Sequence, residues 1–195
     1  MKIYDIFINF FDSFRLEAKE WCRGRLWQAR LPVLLWFVYV LVRHLKDPLY
    51  AGILKGLDLG IHELGHLVFA PFGSFLRTAG GTILQCLAPV IAMVNFYRLR
   101  DFFAITLCFG WLAVNLFDVA VYMADARAME LPLVGPFAGN AEYVRHDWNY
   151  LLGEMGLLQY DVTLAFWVRM AAVFIMLFCF ISGAWFLWQM FKLRE

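Results

Sequence analysis

Long apolar runs constrain this chain more than any other feature. Residues 49–70, 78–97, 102–124 and 162–191 each carry enough consecutive apolar side chains to cross about 30 Å of hydrocarbon at about 1.5 Å per residue. A fifth run, residues 31–42, lies between Arg30 and Arg43; it either spans by snorkelling both arginines or stays at the interface. A bilayer core offers no water to backbone groups, so such runs fold as helices. The expected fold class is all-α, a polytopic membrane helix bundle with about 4–5 transmembrane helices.

Apolar residues make up 63% of the chain and charged residues 17%, against about 45–50% and about 25% in a soluble domain. The charges collect between the apolar runs, as a lipid solvent requires. A net charge of +1 gives no global field that would draw nucleic acid. Cys22, Cys86, Cys108 and Cys179 show no CxxC spacing and sit mostly in apolar segments, where a thiol acts as a small hydrophobe.

Residues 1–30 lack a compact apolar stretch and a small-residue cleavage site. Ile3, Ile6, Phe7, Phe10, Phe11 and Phe14 instead recur at helical spacing, giving an N-terminal amphipathic helix that lies in the membrane interface or packs on a partner subunit. A transmembrane domain over residues 31–191 follows, with a core at 49–127, a polar surface connection at 128–161 and a last span at 162–191. Within the connection, Pro132, Gly135, Pro136 and Gly139 precede a stretch, 141–158, that reads as a short surface helix able to bring extra groups or a lid to a site. If residues 31–42 do not cross, the positive-inside rule gathers the basic N-terminal region, Arg43, Lys46, Arg98, Arg100, Lys192 and Arg194 on the cytoplasmic side; if they do cross, that bias nearly vanishes. The expected location is a multi-pass position in a membrane, a bacterial inner (cytoplasmic) membrane.

His62-Glu63-Leu64-Gly65-His66 interrupts the first long run. At 3.6 residues per turn the two histidines stack on one helix face and can present two imidazoles to one ion, with Glu63 beside them as a proton acceptor. Each charged group at a helix centre costs about 2.5–3.5 kcal/mol on insertion scales, so a cluster in lipid points to a bound Zn²⁺ that compensates it. Gly65 lets a neighbouring helix come close. Asp58, one turn before His62, either orients its ring or neutralises Lys55.

A third protein ligand is needed. Asn115, Asp118, Tyr122 and Asp125 recur on one face of the 102–124 helix, so Asp118 or Asp125 can reach the metal; the alternative is a polar stripe satisfied by interhelical hydrogen bonds. His146 and Asp147 can fold over the site as ligand, proton shuttle or lid anchor, or remain solvated. Gly81, Gln85, Ala88 and Ala92 share a face in the 78–97 helix, which either points Gln85 into the centre or serves ordinary small-residue packing.

At these residues the chain resembles the site-2 protease family of intramembrane zinc metalloproteases, in which H-E-x-G-H lies on the first helix of a three-helix core and an N-L-x-P-x-P-x-L-D-G-type motif on the third. His62 to His66 fits the first motif fully. Asn115-Leu116-Phe117 matches the opening of the second, whose prolines and D-G pair are absent here. The resemblance covers about residues 49–127. It implies a metalloprotease-like core, zinc held by His62, His66 and Asp125, Glu63 as catalytic base, and Asn115 steadying substrate or oxyanion. The implied reaction is hydrolysis of a peptide bond in or near the bilayer, in a membrane-protein or peptide substrate. The competing expectation is a non-proteolytic structural or assembly subunit of a larger membrane complex that retains the helical core; eight tryptophans are available for its subunit contacts.

Overall fold

The computed structural model describes residues 3–132 and 146–194, and every regular element among them is helical. The elements are α1 (Ile3–Trp21), α2 (Leu31–Lys46), α3 (Lys55–Phe69), α4 (Ser74–Arg98), α5 (Phe102–Ala124), α6 (Asp147–Glu154) and α7 (Asp161–Lys192), with 3-10 turns at Ala70–Phe72 and Leu158–Tyr160. The side chains of Ile3, Ile6, Phe7, Phe10 and Phe11 and residues 133–145, where the expected surface helix was to begin, lie outside the described set.

Three of these helices, α4, α5 and α7 with its preceding turn, are long and apolar enough to cross a membrane. That is fewer than the sequence suggested, and the difference lies at residues 49–70. Asp47 is extended (φ −136°, ψ 103°) before Pro48, a position where the proline ring disfavours helix. The chain then turns until Lys55, so α3 has 15 residues, about 22 Å of rise and short of a full crossing. Gly73, at φ +91°, ends the following turn in a conformation that favours glycine. By contrast α5 coincides with its expected segment, opened by Asp101, whose Oδ1 accepts the Ala104 N–H at 3.1 Å.

α4 packs against both α3 and α5, and α5 against α7. α2 runs parallel to α5 through the bundle: Leu34 meets Gly183 and Thr106 at one level, Phe37 meets Gly110 further along, and His44 stacks on Phe117 at 4.7 Å. Arg169 of α7 donates to the His44 carbonyl and so satisfies one of the open carbonyls at the end of α2. Arg43 and Lys46 therefore lie far from Arg98 and Arg100. The basic side chains are divided between the two ends of the bundle.

The second half of α1 lies across the end formed by the α4–α5 turn and the tail of α7. Phe14 meets Phe102 edge-on at 5.3 Å, Glu17 pairs with Arg100, and the Gly24 N–H donates to the Leu193 carbonyl at 3.0 Å. At the other end, Leu152 anchors α6 among Val119, Met123 and Ala126 of the α5 end and Ala165 of α7. Asp161, at the first position of α7, pairs with Arg127 at 2.8 Å and ties those two ends together.

Candidate metal centre

Close helix approach builds the centre. α3 and α4 cross with Gly65 against Gly80, where a Cβ on either would collide with the other's backbone. The crossing sets Gly81 against the ligand rings: a Cβ there would lie 2.6 Å from His62 Nε2 and 2.7 Å from His66 Nε2.

Both imidazoles are pinned at Nδ1. His66 Nδ1 faces the Arg77 carbonyl at 2.9 Å; a carbonyl only accepts, so Nδ1–H donates and Nε2 keeps its lone pair. His62 Nδ1 faces Gln85 Oε1 at 3.0 Å, while Gln85 Nε2–H donates to Asn115 Oδ1 at 3.1 Å. The orientation of Gln85 thus leaves an acceptor for His62 as well, and that ring also turns a lone pair outward at Nε2.

Both Nε2 atoms then converge on one carboxylate oxygen. Asp147 Oδ2 lies 3.0 Å from His62 Nε2 and 3.3 Å from His66 Nε2. Three lone pairs meeting in a site where His62 is 7% and Asp147 8% exposed repel one another unless a cation stands between them. Protons on the rings or a metal ion can supply that charge. Tetrahedral zinc, with ligand bonds of about 2.0–2.1 Å, requires ligand atoms about 3.3 Å apart, close to the separations found. The residues fit the ion.

Glu63 joins the same cluster: ligand atoms of His62, Glu63 and His66 all lie within 4.8 Å of one another. No described residue hydrogen-bonds its carboxylate. It is half-buried and free to take a proton.

Asp147 arrives on α6, outside the long helices. Its N–H donates to the Tyr122 hydroxyl at 3.1 Å. His146, the residue before it, accepts the Asn149 N–H on Nδ1 at 3.2 Å and donates from Nε2 to Asp125 at 3.2 Å. Asn149 Nδ2 donates to the Ala126 carbonyl at 2.8 Å, so α6 is held to the α5 end by side chains as well as by Leu152. Burial alone would raise the Asp147 carboxyl; with protons on the facing His62 and His66 rings, their hydrogen bonds and charge outweigh it and hold the group below the ordinary carboxylate range.

The other candidate residues go elsewhere. Asp125 does not converge on the histidine rings: its oxygens accept Glu130 N–H at 2.9 Å, Leu131 N–H at 3.1 Å and His146, closing the turn after α5. Asp118 pairs with Lys55 at 2.9 Å. Asp58 makes no hydrogen bond to His62 and no direct ion pair with Lys55; its Oδ1 accepts the Trp111 indole N–H at 2.7 Å, and Oδ2 is buried without a partner. Asn115 is fully buried and bonded to Gln85. Sequence reasoning missed the Arg77 carbonyl, because backbone acceptors leave no residue-type signal. It also missed Trp111, because a tryptophan inside an apolar helix carries no signal of the partner its indole N–H will find. Comparison with family models, curated proteins and solved structures returns no match.

Proposed function

We propose that this chain is a multi-pass, membrane-embedded zinc metallopeptidase that hydrolyses a peptide bond of a membrane-protein or peptide substrate in or near the bilayer. The observation that carries the reading is the convergence of two imidazole lone pairs and the Asp147 carboxylate beside an unengaged Glu63. His62, His66 and Asp147 would hold the ion, and α3, α4 and α5 would serve as a site-2 protease-like core whose third ligand comes from outside it. When bound, zinc supplies Lewis-acid polarisation of a carbonyl and acidifies water. Glu63 takes the proton that the attacking water loses and returns it to the leaving amine. The Arg77 carbonyl and Gln85 keep the rings aimed.

Protein purified in a bilayer mimetic should carry about one zinc per chain and cut members of a pool of membrane-derived peptides. Glu63→Gln should keep the zinc and slow cleavage by about 10²- to 10⁴-fold. Undiminished cleavage in that variant rejects the mechanism. A zinc-free protein that co-purifies with large partners favours the non-proteolytic subunit.

A further inference from the structure

Pro89 lies inside α4 and has no N–H, so the carbonyl four residues earlier, that of Gln85, loses its helical partner. A buried carbonyl left open is costly and draws a donor. Asn115 of α5 supplies it: Nδ2–H donates to the Gln85 backbone carbonyl at 3.1 Å. Because that carbonyl can only accept, the Asn115 amide has one permitted orientation, with Oδ1 turned to the Gln85 side chain. Oδ1 accepts Gln85 Nε2–H at 3.1 Å, which in turn aims Gln85 Oε1 at His62 Nδ1, 3.0 Å away. Asn115 is 0% and Gln85 6% exposed, so water offers neither amide an alternative.

Resting on the metal reading above, we infer that Gln85 and Asn115 are positioning residues that lock His62 in the tautomer with its proton on Nδ1 and its lone pair on Nε2. One missing helical hydrogen bond thus dictates, through two amides, which nitrogen of a ligand on a different helix is available to the ion. The arrangement uses a neutral acceptor, although the Asp58 carboxylate lies one turn from His62 and is directed to Trp111. A partner that fixes ring orientation in this way governs metal affinity by about 10- to 100-fold.

The test is zinc affinity, measured by chelator competition on the full-length protein in a bilayer mimetic, with the visible spectrum of the cobalt-substituted protein as a second readout of ligand geometry. Gln85→Met fills the same space without an acceptor and should weaken zinc about 10- to 100-fold and alter the cobalt spectrum. Gln85→Glu, held protonated in this buried position, keeps an acceptor oxygen opposite Nδ1 and an O–H donor for Asn115 Oδ1, and should return affinity to within about threefold of wild type. Asn115→Leu, which frees Gln85 to turn its amide over, should behave like Gln85→Met. If Gln85→Met binds as wild type does, or Gln85→Glu is as weak as Gln85→Met, the clamp is rejected while the metal centre stands. If wild type binds no zinc, the metal reading fails and the clamp with it.

Discussion

Replacing Gly81 by alanine sets two physical effects against each other. Alanine is worth up to about 1 kcal/mol over glycine inside a helix, so by propensity alone the substitution stabilises α4. Its Cβ, however, would stand 2.6 and 2.7 Å from the Nε2 atoms of His62 and His66, about 0.7–0.8 Å inside the 3.4 Å at which ordinary contact begins. A flexible side-chain tip would swing away at little cost, but both rings are held at Nδ1, by Gln85 and by the Arg77 carbonyl. The displacement must therefore fall on the ligand atoms, and ligand distances tolerate only about ±0.2 Å. Gly81→Ala should lose at least about tenfold in zinc affinity, the scale of a disturbed ligand orientation, without loss of thermal stability in the zinc-free state. Gly60 provides the control: it lies on the ligand helix α3, its added Cβ would meet nothing within 4 Å, and Gly60→Ala should raise the melting temperature and leave zinc untouched. Elemental analysis, chelator competition and melting in the same detergent measure all three quantities. Zinc affinity of Gly81→Ala within about threefold of wild type would refute the claim that the rings are fixed.

Asp147→Ala removes the converging carboxylate and should abolish stoichiometric zinc, whereas Asp125→Ala, which loosens His146 and the turn after α5, should weaken zinc without abolishing it and lower the melting temperature; zinc kept by Asp147→Ala and lost by Asp125→Ala would restore Asp125 as the ligand. Tyr122→Phe strips the acceptor from the Asp147 N–H and should cost about 1–3 kcal/mol in denaturant or thermal unfolding. Asp58→Asn keeps Oδ1 for the Trp111 indole and replaces a partnerless buried oxygen with a neutral group, so stability should hold or rise and zinc binding stay as it was. A drop in zinc affinity there would mean that Asp58 does orient His62.

The parts of the centre that were legible in the sequence depend on one helix at a time. His62 and His66 share a face by period, as do Gly81 and Gln85, and those patterns survive folding. The third group depends on how elements dock, which periodicity does not encode. Asp118 and Asp125 stand on the correct face of α5, but Lys55 reaches across to the first and two loop N–H groups capture the second. Asp147 was visible only as part of an adjacent His-Asp pair within the surface helix expected over 141–158. Its role is fixed by Leu152 seating α6 on α5 and by His146 gripping Asp125. The span count went astray at Pro48 for a related reason: hydropathy alone does not register that six apolar-rich residues before Lys55 form turns.

Synthesis order gives the placement of Asp147 a temporal meaning. A ribosome has finished both histidines, the glutamate and the whole of α4 and α5 long before it reaches α6, so every growing chain up to that point carries an incomplete ligand set. On the metallopeptidase reading proposed above, hydrolytic competence is withheld until the turn after α5 has formed and its short neighbour has seated itself.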